Sequence, residues 1–193
     1  MASKKYLSDY AFRDPENKKS GFDYVGQYYY RIAPDQESFR RLKRRYFLFL
    51  GAEAVLYAAS GALSNPGLLT FYEALPYAVN FLPVFLSLVA VIDIAFSPLD
   101  MTRKASDISV NRLKNCTIAS FILAVICAFS SLGFLLFMAE DGFAWREICF
   151  LALQLLLALA AYGFMGQQGK AGVTKIPNPA YDERPEESKK NLS

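Results

Sequence analysis

Four long apolar runs, at about 46–63, 77–96, 116–139 and 148–165, set the terms on which this chain can fold. A helix rising about 1.5 Å per residue crosses a hydrocarbon layer of roughly 30 Å in about 20 residues, close to the length of each run. Within the runs, apolar residues do not alternate with polar ones at helical or strand period, as they would in a water-soluble domain. The expected fold is an all-α integral membrane protein, a bundle of four transmembrane helices. Turn signals part the runs: Ser64-Asn65-Pro66-Gly67, Ser97-Pro98, Glu140-Asp141-Gly142 and the glycines from Gly166 to Gly172. Pro76 suits the first position of the second helix, while Pro83 inside it removes a backbone hydrogen bond and bends the span.

The basic residues orient the bundle. Arg40, Arg41, Lys43, Arg44 and Arg45 precede the first run, and Arg103, Lys104, Arg112 and Lys114 lie between the second and third. The tail adds Lys170, Lys175, Arg184, Lys189 and Lys190. Loop 64–76 has no basic residue and the last loop has Arg146, so all but one of the 21 fall on one side. Positive loops stay in the cytoplasm during insertion, which predicts both ends inside and an even number of crossings. The first run follows a polar segment, 1–45, and is expected to be retained as a span rather than cleaved. A compact chain with no eukaryotic targeting signal points to a bacterial plasma membrane.

Several chemistries are excluded. The sequence has no histidine, which removes imidazole bases, Ser/His and Cys/His nucleophile pairs and histidine metal sites. Cys116, Cys127 and Cys149 lie in apolar runs without Cys-x-x-Cys spacing and read as small buried hydrophobes. Segment 166–171 lacks the spacing and hydroxyl of a phosphate loop, and no zinc-protease, nucleophile-elbow or dinucleotide motif occurs. Glycosylation patterns at Asn115 and Asn191 fall on the cytoplasmic side, where they are not used. No cofactor and no metal is expected.

Small residues bring membrane helices together, and two stripes fit: Ala54, Ala58 and Ala62 in the first span, Ser120, Ala124 and Ala128 in the third. A charge at membrane depth costs at least about 2.5–3.5 kcal/mol, so Glu53 and Asp93 call for partners or a cavity. Both fall in the inner-leaflet half, and Asp93, near a helix C-terminus, needs a cation such as Arg103, Lys104, Arg112 or the Lys43–Arg45 run. Tyr57 and Ser60 share a face with Glu53, and Gln154, Ala158 and Tyr162 are assigned a common face in the fourth span. The expected site is one polar cluster near the cytoplasmic end: Glu53, Tyr57, Asp93, Ser120 and Tyr162.

The chain divides into a cytoplasmic N-terminal segment, 1–34, a transmembrane domain, 35–166, and a cytoplasmic tail, 167–193. Residues 22–32 suggest an extended segment, with Tyr28, Tyr29 and Tyr30 at headgroup level or docked on a partner. Asp35 suits a helix N-cap leading without a break into the first span, and the basic residues at Arg40, Arg41, Lys43, Arg44 and Arg45 suit anionic lipid headgroups rather than nucleic acid. The tail is expected to be mostly disordered, with Asn178-Pro179-Ala180-Tyr181 as a tyrosine turn open to adaptors. The leading functional expectation is a non-enzymatic accessory or interaction subunit, with a protein partner or a second copy of itself. A small transporter or channel using Glu53 and Asp93 comes second, and a membrane-embedded enzyme using them as an acid–base pair third.

Overall fold

The computed structural model describes residues 6, 9–12, 22–63, 65–137 and 145–182. Its long helices are α1 (Gln36–Ala62), α2 (Phe71–Phe96), α4 (Arg112–Phe137) and α5 (Trp145–Lys170). A short α3 (Arg103–Ser106) runs into α4 through a π-helical stretch, Asp107–Asn111, and a 3-10 turn, Pro66–Leu69, precedes α2. Strands β1 (Tyr10–Phe12), β2 (Phe22–Tyr24) and β3 (Tyr28–Arg31) come before α1, and β4 (Thr174–Pro177) and α6 (Pro179–Asp182) follow α5.

Asp35, in extended backbone, accepts the Ser38 N–H at 2.8 Å, and α1 then runs unbroken from its basic turns into its apolar ones. The backbone and hydroxyl bonds from Ser38 hold the Asp35 carboxyl below its usual range. α2, the helix from Arg103 to Phe137 and α5 are long and apolar enough to cross a membrane. α1 misses that measure, because it opens on basic turns and its apolar part, 46–62, contains Glu53. Pro76 does not begin a helix: α2 starts at Phe71, and Pro76 and Pro83 both lie inside it. The turn from Pro66 to Leu69 ends at Thr70, the residue that caps α2, so the helix is already formed when the chain reaches Pro76. The end of the third run and its acidic turn at 140–142 lie outside the described residues.

The long helices form a ring, α1 and α4 each packing against both α2 and α5. Beside buried apolar residues such as Phe150 and Leu157, its interior holds polar ones and its exterior is largely apolar. Glu53, Ser60, Glu73, Asn80, Ser120, Glu147 and Gln154 are buried, while Phe81, Leu82, Phe129, Phe137 and Leu159 are exposed. That suits a hydrocarbon surrounding. Of the two small-residue stripes, Ser120, Ala124 and Ala128 are interior, whereas Ala54, Ala58 and Ala62 are exposed.

One end of the ring carries a strand platform. β3 pairs antiparallel with β4, Tyr28 opposite Pro177 and Arg31 opposite Thr174. On its other side Tyr30 exchanges backbone hydrogen bonds with Met101, at 2.9 and 3.0 Å. Arg31 grips Asp100 through two bonds of 2.7 and 2.9 Å, which raises its already high proton affinity. The segment before α1, the loop after α2 and the tail therefore meet at the same end. The expectation of a mostly disordered tail is corrected over 174–182, because β3 offers β4 a free edge. Asn178 is buried there, donating its amide to Gly26 O at 2.9 Å and its backbone N–H to Gln27 O at 3.0 Å. The Asn178-to-Tyr181 motif is an anchor in this fold. Residues 183–193 lie outside the described residues.

Candidate functional site

Pairings between helices fix which residues share a level. Tyr57 on α1 stacks on Tyr77 of α2, and each hydroxyl donates to the other's backbone carbonyl, at 3.2 and 3.0 Å. One turn toward the platform, Glu53 stands level with Asn80, three residues on from Tyr77. Cys127 on α4 contacts the Glu73 carbonyl at 3.9 Å, and two turns further both helices reach Ser120 and Asn80. Gln154 on α5 donates to Ser60 Oγ at 3.1 Å, and the same two-turn step leads to Glu53 and Ala161. Glu53, Asn80, Ser120 and Ala161, one from each helix, thus lie at one level, and all are 0% exposed.

At that level both carboxyl oxygens of Glu53, both polar atoms of the Asn80 amide and the Ser120 hydroxyl are buried without a hydrogen-bond partner among the described residues. Leaving a buried polar group unpaired costs about 1–3 kcal/mol, so five such atoms at one level are expensive for a purely structural interior. Ala161 keeps the fourth wall small. The groups present, a carboxyl, an amide and a hydroxyl, suit a proton, water or a small hard cation.

The five expected site residues do not form one cluster. Glu53 and Ser120 share the buried level, and Tyr57 stands one turn above it. Asp93 is half-exposed at the bundle's edge, 3.9 Å from Arg112, one of the cations expected to meet it. It lies thirteen residues beyond Asn80, about 20 Å along the axis from Glu53's level, so the two acids do not sit at matching depth. The reason is that the basic turns of α1 run alongside the last turns of α2, with Lys43 Nζ bonded to the carbonyls of Ala95 and Ser97 at 2.7 and 3.2 Å. Lys43 is thereby only half-exposed, whereas Arg40, Arg41, Arg44 and Arg45 are exposed. Tyr162 is 64% exposed and touches Phe121 on the outer surface, so it is no part of the interior.

Sequence reasoning singled out Gln154 but left it outside the cluster, and missed Asn80 and a second polar level at the other end, where Glu73, Glu147, Asn65 and Ser131 meet. The signal was a seven-residue spacing: Glu73, Asn80 and Ser87 on α2, Glu147, Gln154, Ala161 and Gln168 on α5. Below the Glu53 level, Gln168 donates to Thr117 Oγ1 at 2.9 Å. On the platform, a cavity of about 130 Å³ is lined by Asp9, Tyr24, Gln27, Tyr30, Arg103 and Tyr181 among others, and burial pushes the Tyr24 hydroxyl up to about 12. No family model, curated protein sequence or solved structure matches the chain.

Proposed function

We propose that this is a four-span membrane protein, both ends cytoplasmic, that passes protons or small cations through the interior of its helix bundle. The observation that carries the transport reading is the level of Glu53, Asn80 and Ser120, where five buried polar atoms lack protein partners. Intramembrane ionisable groups are costly and typically mark ion or proton paths. The topology is supported by the strand platform, which gathers the segment before α1, the loop after α2 and the tail at one end. The same end holds the exposed arginines of α1 and the Arg103–Lys114 segment, as the positive-inside rule requires. A bacterial plasma membrane, which maintains a proton gradient, is the proposed location.

The test is flux in proteoliposomes carrying an internal pH dye, under an imposed potassium diffusion potential, comparing wild type with Glu53→Gln. Wild type is expected to acidify or alkalinise the lumen at least tenfold faster than the variant. Equal, protein-independent rates for protons, sodium and potassium would overturn the proposal.

A second reading, a non-enzymatic accessory subunit, is favoured by the platform and its Tyr- and Arg-lined cavity. Co-purification from mild detergent of a stoichiometric partner that is lost on deleting the strands would support it. The acid–base enzyme reading is not carried forward, since Glu53 and Asp93 stand about 20 Å apart along the axis.

A further inference from the structure

At the end of the bundle away from the platform, two carboxyl groups meet in a site closed to solvent. Glu73 lies in the first turn of α2 and Glu147 in the first turn of α5, and both are 0% exposed. Asn65 Nδ2 bridges them, donating to Glu73 Oε1 at 3.3 Å and to Glu147 Oε2 at 2.9 Å. Glu147 also accepts the Gly67 N–H at 3.2 Å and the Ser131 hydroxyl at 2.6 Å. Glu147 thus holds three donors, and Glu73 has a share of one. Among the described residues Glu73 Oε2 is buried and meets no donor, yet the shared Asn65 amide and the Gly67 backbone hold its carboxyl group beside that of Glu147.

We propose that Glu73 and Glu147 form a proton-binding pair, with Glu147 as the carboxylate and Glu73 as the acid whose O–H is donated to it. Two adjoining buried carboxylates cannot both be ionised cheaply, and hydrogen-bond donors stabilise the one that is. The donor count selects Glu147 for the charge, at a helix N-terminus where partial positive charge favours an anion. A proton on Glu73 Oε2 gives that atom the partner it lacks.

The surroundings favour a proton over a metal cation. Asn65 turns its amide N–H toward both carboxyls, where a cation would require the carbonyl. Among the described residues no group of three or more Cys, Asp or Glu side chains is placed to hold a metal. Among the described residues, the other titratable groups around the pair are Cys127, packed on the Glu73 backbone from α4, and Tyr77 one turn along α2. Arg146 stands over the Trp145 ring, 5.9 Å from its centroid. Gly67 closes the site from above: a Cβ there would collide with Glu73 Oε2 and stand 2.8 Å from Glu147 Oε1.

The role of this pair in transport rests on the proposed function, whereas its proton binding does not. In that setting it is the outer acceptor and Glu53 the inner one. The Tyr57–Tyr77 pair and the Gln154–Ser60 hydrogen bond lie between them.

Infrared titration of the full chain in lipid tests the inference. Wild type is expected to show a protonated-carboxyl band that disappears as pH rises. In a Glu53→Gln background, which removes the other buried acid, Glu73→Gln, nearly isosteric and still able to donate to Glu147, should abolish that band. Glu53→Gln should leave it in place, and Glu147→Gln should shift its midpoint, because the neighbouring charge is gone. A band unchanged by Glu73→Gln in that background, no such band in wild type, or its displacement by sodium or calcium at constant pH would each overturn the pair. The band without proton flux upholds the pair and counts against the transport reading, and flux without the band does the reverse.

Discussion

Replacing Glu53 by methionine should make the protein more stable and less active at once. The Glu53 carboxyl is fully buried, and neither of its oxygens has a hydrogen-bond partner among the described residues. Each unpaired atom costs about 1–3 kcal/mol, so removing both should return roughly 2–6 kcal/mol. Methionine is longer-reaching but flexible, and refitting it at the Ala161 wall costs less than about 1.5 kcal/mol. The net gain is about 3 kcal/mol, and at about 2–4 °C per kcal/mol for a chain of this size the melting temperature should rise about 6–12 °C. Thermal unfolding in detergent, followed by circular dichroism, reads this directly. Glu53→Gln keeps two polar atoms in place and should stay within about 1 kcal/mol of wild type. A Glu53→Met protein that melts lower than wild type would refute the reasoning, because Glu53 would then have partners that hold the bundle together. Stability gained with flux lost would identify a residue kept for its chemistry.

Two other substitutions separate the interior from its surroundings. Asn178→Ala leaves Gly26 O without its donor and should cost about 1–3 kcal/mol of local stability, seen as faster protease cleavage between 171 and 178 while the bundle stays intact. Asp93→Asn removes a half-exposed pair held at 3.9 Å, so stability should change by less than about 1 kcal/mol and flux by less than twofold.

The parts of the fold legible in the sequence are those fixed by local composition. Apolar runs gave the long helices, Pro34-Asp35 gave the start of α1, and residues 22–32 read as extended because their side chains are aromatic and β-branched. The interior was harder to see, because reading a span as an uninterrupted apolar run cuts it at the first charge. That reading places Glu73 and Glu147 in loops, although each sits inside its helix and is buried. Tyr162 was misplaced by angle: two four-residue steps from Gln154 turn about 80° around a helix, whereas one seven-residue step turns about 20° and leads to buried Ala161. Pairing of β3 with β4 has no local signal at all, since a four-residue polar strand acquires its shape from a partner far along the chain.

That distant pairing has a consequence for biogenesis. β3 leaves the ribosome before any helix, and β4 only after all four long ones, so the clasp is among the last contacts the chain can make. In a membrane the two strands meet only if the intervening helices carry the chain across and back in pairs. On the proposed four-span topology, a molecule with one helix left uninserted would deliver β4 to the compartment opposite β3 and leave both strand edges open. Closure of the clasp would then report the parity of insertion.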